Sequence, residues 1–183
     1  MLAALLPVPL RTVANGLTVA RALAGLPLIL ALQAGWSVLA WWLLLLAGLS
    51  DAADGWLARR AGGGSAWGAR LDPLTDKVLI AAPLIWLAST AQLPPWAVWV
   101  LLARELLISG WRAQAGDGAP ASLGGKAKTI LQFLSLLLLL WPQPWTGHLW
   151  FVAVGWWMFW PSLVLALWSA VSYLSPRSTQ HPS

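Results

Sequence analysis

Apolar runs alternate with short polar breaks along the whole chain, and this alternation predicts its elements. From Gly16 to about Gln33 only Thr18 and Arg21 interrupt the apolar sequence, which is enough for one membrane-crossing helix. Asn15, a favourable N-cap residue type, marks its start, and Pro27 is placed to kink it. Ala34-Gly35-Trp36-Ser37 reads as a short turn. A second run, Val38 to about Leu49, continues as helix to about Arg60, where the glycines at 62–64 and Ser65 break it. A third helix begins near Gly68 or Asp72, since Asp72-Pro73 suits a first turn, and runs to about Ala91. After a turn at 92–95, a fourth run extends from Trp96 to Ala113, followed by a polar, glycine-rich loop at 114–125. The fifth begins near Lys126 and carries the leucine-rich stretch to Trp141; the sixth covers roughly His148 to Tyr173, after a turn at 142–147. Residues 1–14 are apolar with Arg11 and two prolines. The basic start of a signal peptide is missing, so they read as a short interfacial segment, and 175–183 as a polar tail.

Composition turns these runs into membrane spans. The 183 residues are 59% hydrophobic and 9% charged, against about 25% charged in soluble domains. With no cysteine, disulfides, thiolate metal sites and cysteine nucleophiles are excluded. The net charge of +5 reads as basic residues at a membrane surface rather than as a nucleic-acid site. All eleven Lys and Arg fall at, or within a few turns of, one side of a six-span arrangement, while the opposite turns near 34–37, 91–95 and 142–148 carry none. By the positive-inside rule that side is cytoplasmic. The expected fold is therefore an all-α integral membrane protein of one domain, 1–183, with six transmembrane helices, a short N-terminal interfacial segment and both termini cytoplasmic. Many of the sixteen Trp, Trp96, Trp99, Trp141, Trp145 and Trp150 among them, read as interfacial or lipid-facing anchors. His148 and His181 stand without a second ligand, and Ser65 reads as a turn residue.

One stretch does not fit a purely apolar membrane protein. Residues 51–76 hold four of the six acidic residues, Asp51, Asp54, Asp72 and Asp76, and long apolar segments flank them. Carboxylates at that depth need strong compensation. Asp51 and Asp54 are three apart and Asp72 and Asp76 four apart, so each pair shares a helix face. If the break at 62–65 turns the two helices back on each other, the pairs make one oxygen-only site, suited to Mg²⁺, Mn²⁺ or Ca²⁺. Four negative charges accommodate two such ions, as in two-metal phosphoryl chemistry. A purely structural alternative pairs the four Asp with Arg59, Arg70 and Lys77. A divalent-cation transporter is a third reading, but it needs a polar path across the membrane and the external half of every run is apolar.

The pattern Asp51-x2-Asp54-Gly55-x2-Ala58-Arg59-x8-Gly68-x3-Asp72-x3-Asp76 resembles the signature of the CDP-alcohol phosphotransferase family at every fixed position. Eight such positions coincide by chance roughly once in ten billion starts. Three further stretches are similar to family members that use glycerol 3-phosphate. They are Asn15-Gly-Leu-Thr18-Val-Ala-Arg21, Ala103-Arg104-Glu105-Leu-Leu-Ile-Ser109-Gly110-x-Arg112, and Gly125-Lys126-Ala-Lys128-Thr129-x-x-Gln132. The Pro that usually precedes the Asn of the first stretch is Ala14 here.

The resemblance implies an enzyme that moves the phosphatidyl group of CDP-diacylglycerol to sn-glycerol 3-phosphate and releases CMP. Inositol phosphate and phosphatidylglycerol are the alternative acceptors. By the same resemblance Asp51, Asp54 and Asp72 hold one Mg²⁺ or Mn²⁺, and Asp51, Asp72 and Asp76 a second. Asp76 is also the general base, and Gly55, Ala58, Arg59 and Gly68, with Asn15 and Thr18, shape the CDP site. The acceptor's phosphate requires cations, for which the candidates are Arg104, Arg112, Lys126, Lys128 and Arg21. Each of these has a plainer reading as a snorkelling anchor. Glu105 either pairs with a neighbouring base or orients one. The resemblance further implies a multi-pass cell-membrane protein, active at the cytoplasmic face, in contact with membrane lipid and homodimeric.

Overall fold

The computed structural model describes the backbone of residues 8–60, 66–115 and 123–174; within these it describes side chains at 20, 21, 23–50, 75, 77–110 and 127–171. Six helices make up most of the described backbone. They are α1 (Val8–Gln33), α2 (Ser37–Arg60), α3 (Ala66–Ser89), α4 (Pro95–Ala115), α5 (Leu123–Leu139) and α6 (His148–Leu174). The chain is thus all-helical, in the predicted order. Three starts differ from expectation. α1 begins at Val8, so Asn15 lies inside the helix rather than at its start. The apolar sequence on both sides of it propagates the helix, which a single N-cap type does not interrupt. α3 begins at Ala66, which puts Pro73 inside the helix rather than in its first turn. α5 begins at Leu123, so Lys126 follows the start instead of making it. Most of segment 1–14, the break at 62–65, most of the 114–125 loop and the tail at 175–183 lie outside the described residues.

The chain divides into two compact units. The first contains residues up to Trp86 together with Leu140–Thr146; the second contains Leu87–Leu139 and residues from Gly147 onward.

In the first unit α1 packs on α2. The turn joining them is set by hydrogen bonds: Trp36 N–H donates to Ala31 O at 2.8 Å, and Gly35 N–H donates to Leu32 O at 3.1 Å. These two bonds make a Schellman cap, which puts its C′ residue in the left-handed region. Gly35 fills that place with φ 76°. α1 also lies close to α3, because a Cβ on Gly25 would meet the Ala82 Cβ at 3.2 Å. Small residues allow this approach. The 140–146 turn adds an aromatic cluster. Trp141 and Trp145 meet Trp41 edge-to-face at centroid distances of 5.7 and 5.0 Å, and the Trp141 Nε1–H donates to Thr146 O at 3.3 Å. These two indoles therefore pack on protein as half-buried groups, rather than standing alone as lipid anchors. Trp96, Trp99 and Trp150 are exposed, as expected of anchors.

In the second unit α6 packs along α5 and against α4. The α5–α6 contact is closest at Gly155, where a Cβ would lie 2.7 Å from Leu139 N and 2.8 Å from the Leu138 Cβ. Beside it the Ser135 hydroxyl donates to Gly155 O at 2.9 Å. Phe159, Leu101 and Leu136 are fully buried. Pro95 starts α4, where a missing N–H costs nothing, and Pro94 O accepts from Ala97 N–H at 3.0 Å. The end of α3 repeats the cap seen after α1: Gln92 N–H donates to Leu87 O at 2.9 Å and Ala91 N–H to Ala88 O at 3.1 Å. Here the left-handed residue is Ala91, at φ 57°.

In both units large apolar side chains are exposed among the described residues. Leu23, Leu26, Leu30, Trp99, Leu107, Trp157, Val164, Trp168 and Val171 are all exposed. By length and composition one described helical stretch, His148–Val171, suffices to cross a membrane. Shorter apolar helical stretches cover Leu23–Gln33, Ser37–Ser50, Lys77–Ser89 and Ala127–Leu139.

The two caps give opposite expectations. An L-residue with a Cβ pays roughly 1–2 kcal/mol in the left-handed region. Gly35→Ala should therefore lower thermal stability in detergent, whereas Ala91→Gly should raise it, each by about 1 kcal/mol after the unfolded-chain entropy of glycine is counted. Calorimetric or fluorescence melts of both variants check the pair of signs.

Candidate functional site

The acidic signature falls on two helices. Asp51, Asp54, Gly55, Ala58 and Arg59 lie in the last turns of α2, and Gly68, Asp72 and Asp76 in the first half of α3. Helix is unbroken from Ser37 to Arg60 and from Ala66 to Ser89, the condition under which spacings of three and four share a face. The side chains of these eight residues lie outside the described residues, as do those of Asn15, Thr18, Arg112 and Lys126. Asn15 and Thr18 lie within α1, Arg112 within α4 and Lys126 within α5. The donor set suits a hard divalent cation: it is all carboxylate, in a chain without cysteine. Thr75, next to Asp76, is buried and engaged.

Three of the predicted basic residues have described side chains, and all three are buried. Arg21 on α1 retains 3% of its surface, Arg104 on α4 9% and Lys128 on α5 5%. Snorkelling anchors would carry their charges to the surface. Burial at this level needs partners. In the second unit the partner is Glu105. Its Oε1 accepts a hydrogen bond from Arg104 Nη1 at 3.0 Å and another from Lys128 Nζ. Arg104 is held a second time, through Nε, which donates to Ala166 O on α6 at 2.8 Å. The cluster therefore ties α4 to α5 by an ion pair and α4 to α6 by a charged hydrogen bond. It combines two cations with one carboxylate and keeps one positive charge.

The sequence placed Arg104 and Lys128 among the phosphate candidates and left Glu105 between pairing and orienting. The geometry shows that Glu105 pairs with both. Residue spacing within one helix relates Arg104 to Arg112, but it does not relate residue 105 to residue 128 across a loop. Gln132 belongs to the third of the similar stretches. It lies one turn beyond Lys128, with 3% of its surface exposed, and no hydrogen bond joins its side chain to another described residue. Lys128, Gln132 and Ser135, at spacings of four and three, form a buried polar face on an otherwise leucine-rich helix. That periodic polar stripe was the signal available in the sequence.

An all-helical chain with leucine and tryptophan outside and buried cations inside is built as a membrane protein. The chain belongs to the CDP-alcohol phosphatidyltransferase family, whose profile matches residues 11–168. Members are membrane-bound transferases, and membership makes this chain one, which sets the transporter reading aside. Similar curated relatives carry the name CDP-diacylglycerol–glycerol-3-phosphate 3-phosphatidyltransferase. The Shigella flexneri serotype 5b protein is 37% identical over 139 residues, covering 71% of this chain and 73% of its own. The proteins of Salmonella choleraesuis and Escherichia coli K12 are each 36% identical, with the same coverage.

Proposed function

We propose that this chain is a phosphatidylglycerophosphate synthase, which transfers the phosphatidyl group of CDP-diacylglycerol to sn-glycerol 3-phosphate and releases CMP. The observation that carries the acceptor is the match, over 71% of the chain, to phosphatidyltransferases whose name states it. The buried cationic cluster of α4 and α5 supports an anionic acceptor, since its two cations outnumber its one carboxylate.

In this reading the chain is one catalytic domain whose six helices cross the cell membrane, with both termini and the active site at the cytoplasmic face. The one-sided distribution of Lys and Arg and the apolar exterior support that topology. The protein is a homodimer in this proposal. Asp51, Asp54 and Asp72 hold one divalent cation, Mg²⁺ or Mn²⁺, and Asp51, Asp72 and Asp76 hold a second. When bound, the ions neutralise the diphosphate and the charge that develops on the departing CMP. Gly55, Ala58 and Gly68 leave clearance for the CDP group, Arg59 adds charge beside its diphosphate, and Asn15 and Thr18 complete that pocket. Arg104, Arg112, Lys126, Lys128 and Arg21 bind the acceptor's phosphate and aim its hydroxyl at the phosphorus that carries diacylglycerol. The new bond forms from that hydroxyl oxygen to phosphorus, and the bond from phosphorus to the CMP oxygen breaks. Asp76 accepts the hydroxyl proton. A carboxylate is ionised at neutral pH, so reach and alignment limit this base more than its basicity does.

An acceptor panel with purified protein and CDP-diacylglycerol tests the assignment. Glycerol 3-phosphate should support CMP release, whereas inositol phosphate and phosphatidylglycerol should give only background; the reverse ranking would replace the acceptor. EDTA should abolish CMP release and added Mg²⁺ or Mn²⁺ restore it, and turnover that persists in chelator contradicts the metal role of the four Asp. Asp76→Asn should lose at least about two orders of magnitude in kcat while still binding CDP-diacylglycerol, the usual size of a general-base effect. A near-normal rate in that variant would move the base elsewhere.

A further inference from the structure

Glu105 has no part in the chemistry above, yet it is the acidic centre of the cluster. Its Oε1 receives both Arg104 Nη1 and Lys128 Nζ, and its side chain is only 17% exposed. The two cations differ in kind. Arg104 is anchored twice, to Ala166 O and to Glu105, and its Nη2 makes no hydrogen bond with any described residue. Lys128 is a point charge on a flexible four-carbon stem. The Glu105 carboxylate that its ammonium meets is the same one that receives Arg104.

We propose that Glu105 is a positioning residue for the acceptor's phosphate: through its bond to Lys128 it holds the ammonium beside the Arg104 guanidinium as a preformed anion site. The proposal rests on the reading of Arg104 and Lys128 as acceptor-phosphate ligands. Without the carboxylate, two largely buried cations from neighbouring helices repel each other, and the ammonium loses the contact that joins it to Arg104. A contrary possibility is that Glu105 occupies the phosphate's place and is displaced when the acceptor arrives. Displacement would strand a largely buried carboxylate without its cations, and breaking one side of such a pair is strongly unfavourable. The two possibilities differ in sign. Positioning predicts weaker acceptor binding when Glu105 is neutralised, and displacement predicts tighter binding.

The test is steady-state kinetics on the purified full-length protein, varying glycerol 3-phosphate at saturating CDP-diacylglycerol and then the reverse. The variants are Glu105→Gln, Glu105→Asp, Lys128→Ala and the double variant Glu105→Gln/Lys128→Ala. Lys128→Ala should raise the acceptor KM at least about tenfold, the scale of a lost hydrogen bond to a charged group, and leave the CDP-diacylglycerol KM unchanged. Glu105→Gln should raise the acceptor KM by about three- to tenfold with the same selectivity. The double variant should be no worse than Lys128→Ala alone, because Glu105 acts through Lys128. A merely structural role would instead lower kcat for both substrates in parallel and add to the Lys128→Ala effect. Should Glu105→Gln fail to fold, Glu105→Asp keeps the charge but withdraws it by one methylene, and it should show the same selective rise. An unchanged or lowered acceptor KM in both Glu105 variants, with Lys128→Ala still selective, overturns the positioning role and leaves the acceptor site standing. An unchanged acceptor KM in Lys128→Ala removes the acceptor-site reading and this proposal with it.

Discussion

Charge in an apolar setting is the constraint on which this structure depends. Removing an unpaired ion from water costs several kcal/mol even after relaxation. The helices expose Leu, Val and Trp and bury Arg21, Arg104, Lys128, Gln132 and Ser135, the opposite of a water-soluble arrangement. Each buried charge must therefore find its partner within the protein. In the second unit that requirement fixes the relation of three helices, because Glu105 on α4 serves Lys128 on α5 while Arg104 reaches the backbone of α6. One carboxylate stands between two cations, so the contact that makes burial tolerable leaves these three side chains with a formal excess of one positive charge.

The packing around the cluster is equally restrictive. At Gly155 the α5 backbone comes so near α6 that even a methyl group does not fit, and the Ser135 hydroxyl is close enough to use the Gly155 carbonyl. Between apolar surfaces in an apolar solvent, close backbone approach and hydrogen bonds between helices replace the hydrophobic drive that water supplies. A tight α5–α6 pair holds the base of Lys128 on a rigid helix, and the ion pair then has only the side chain left to order. The first unit uses the same device at Gly25 against Ala82, supplemented by the tryptophans around the 140–146 turn.

Much of this was legible in the sequence, for identifiable reasons. Helix order follows from long apolar runs separated by Gly and Pro, and Gly35 announces its own turn. The eight-residue Asp signature identified the family because its spacing is long and specific. Asn15 misled because cap preference is a weak local signal, overridden by apolar sequence on both sides. The left-handed turn at Ala91 was invisible, since the usual mark of that conformation is glycine. The Arg104–Glu105–Lys128 cluster was legible only in its members. Spacing predicts neighbours on one helix, and this contact spans two helices separated by a polar loop.

The identities of the two cations follow from the same geometry. The guanidinium of Arg104 spends Nε on a backbone carbonyl of α6 and Nη1 on Glu105, and keeps Nη2 in a fixed plane. A lysine has no rigid fork with which to hold two partners in defined directions and still offer a third donor in a set orientation. At position 128 the requirement is different: a compact ammonium on a flexible stem meets the Glu105 carboxylate from the neighbouring helix without planar matching. Arginine therefore fixes the directions of the cluster, and lysine adds a concentrated charge from the neighbouring helix. Glu105, bonded to both, joins that charge to the arginine's frame.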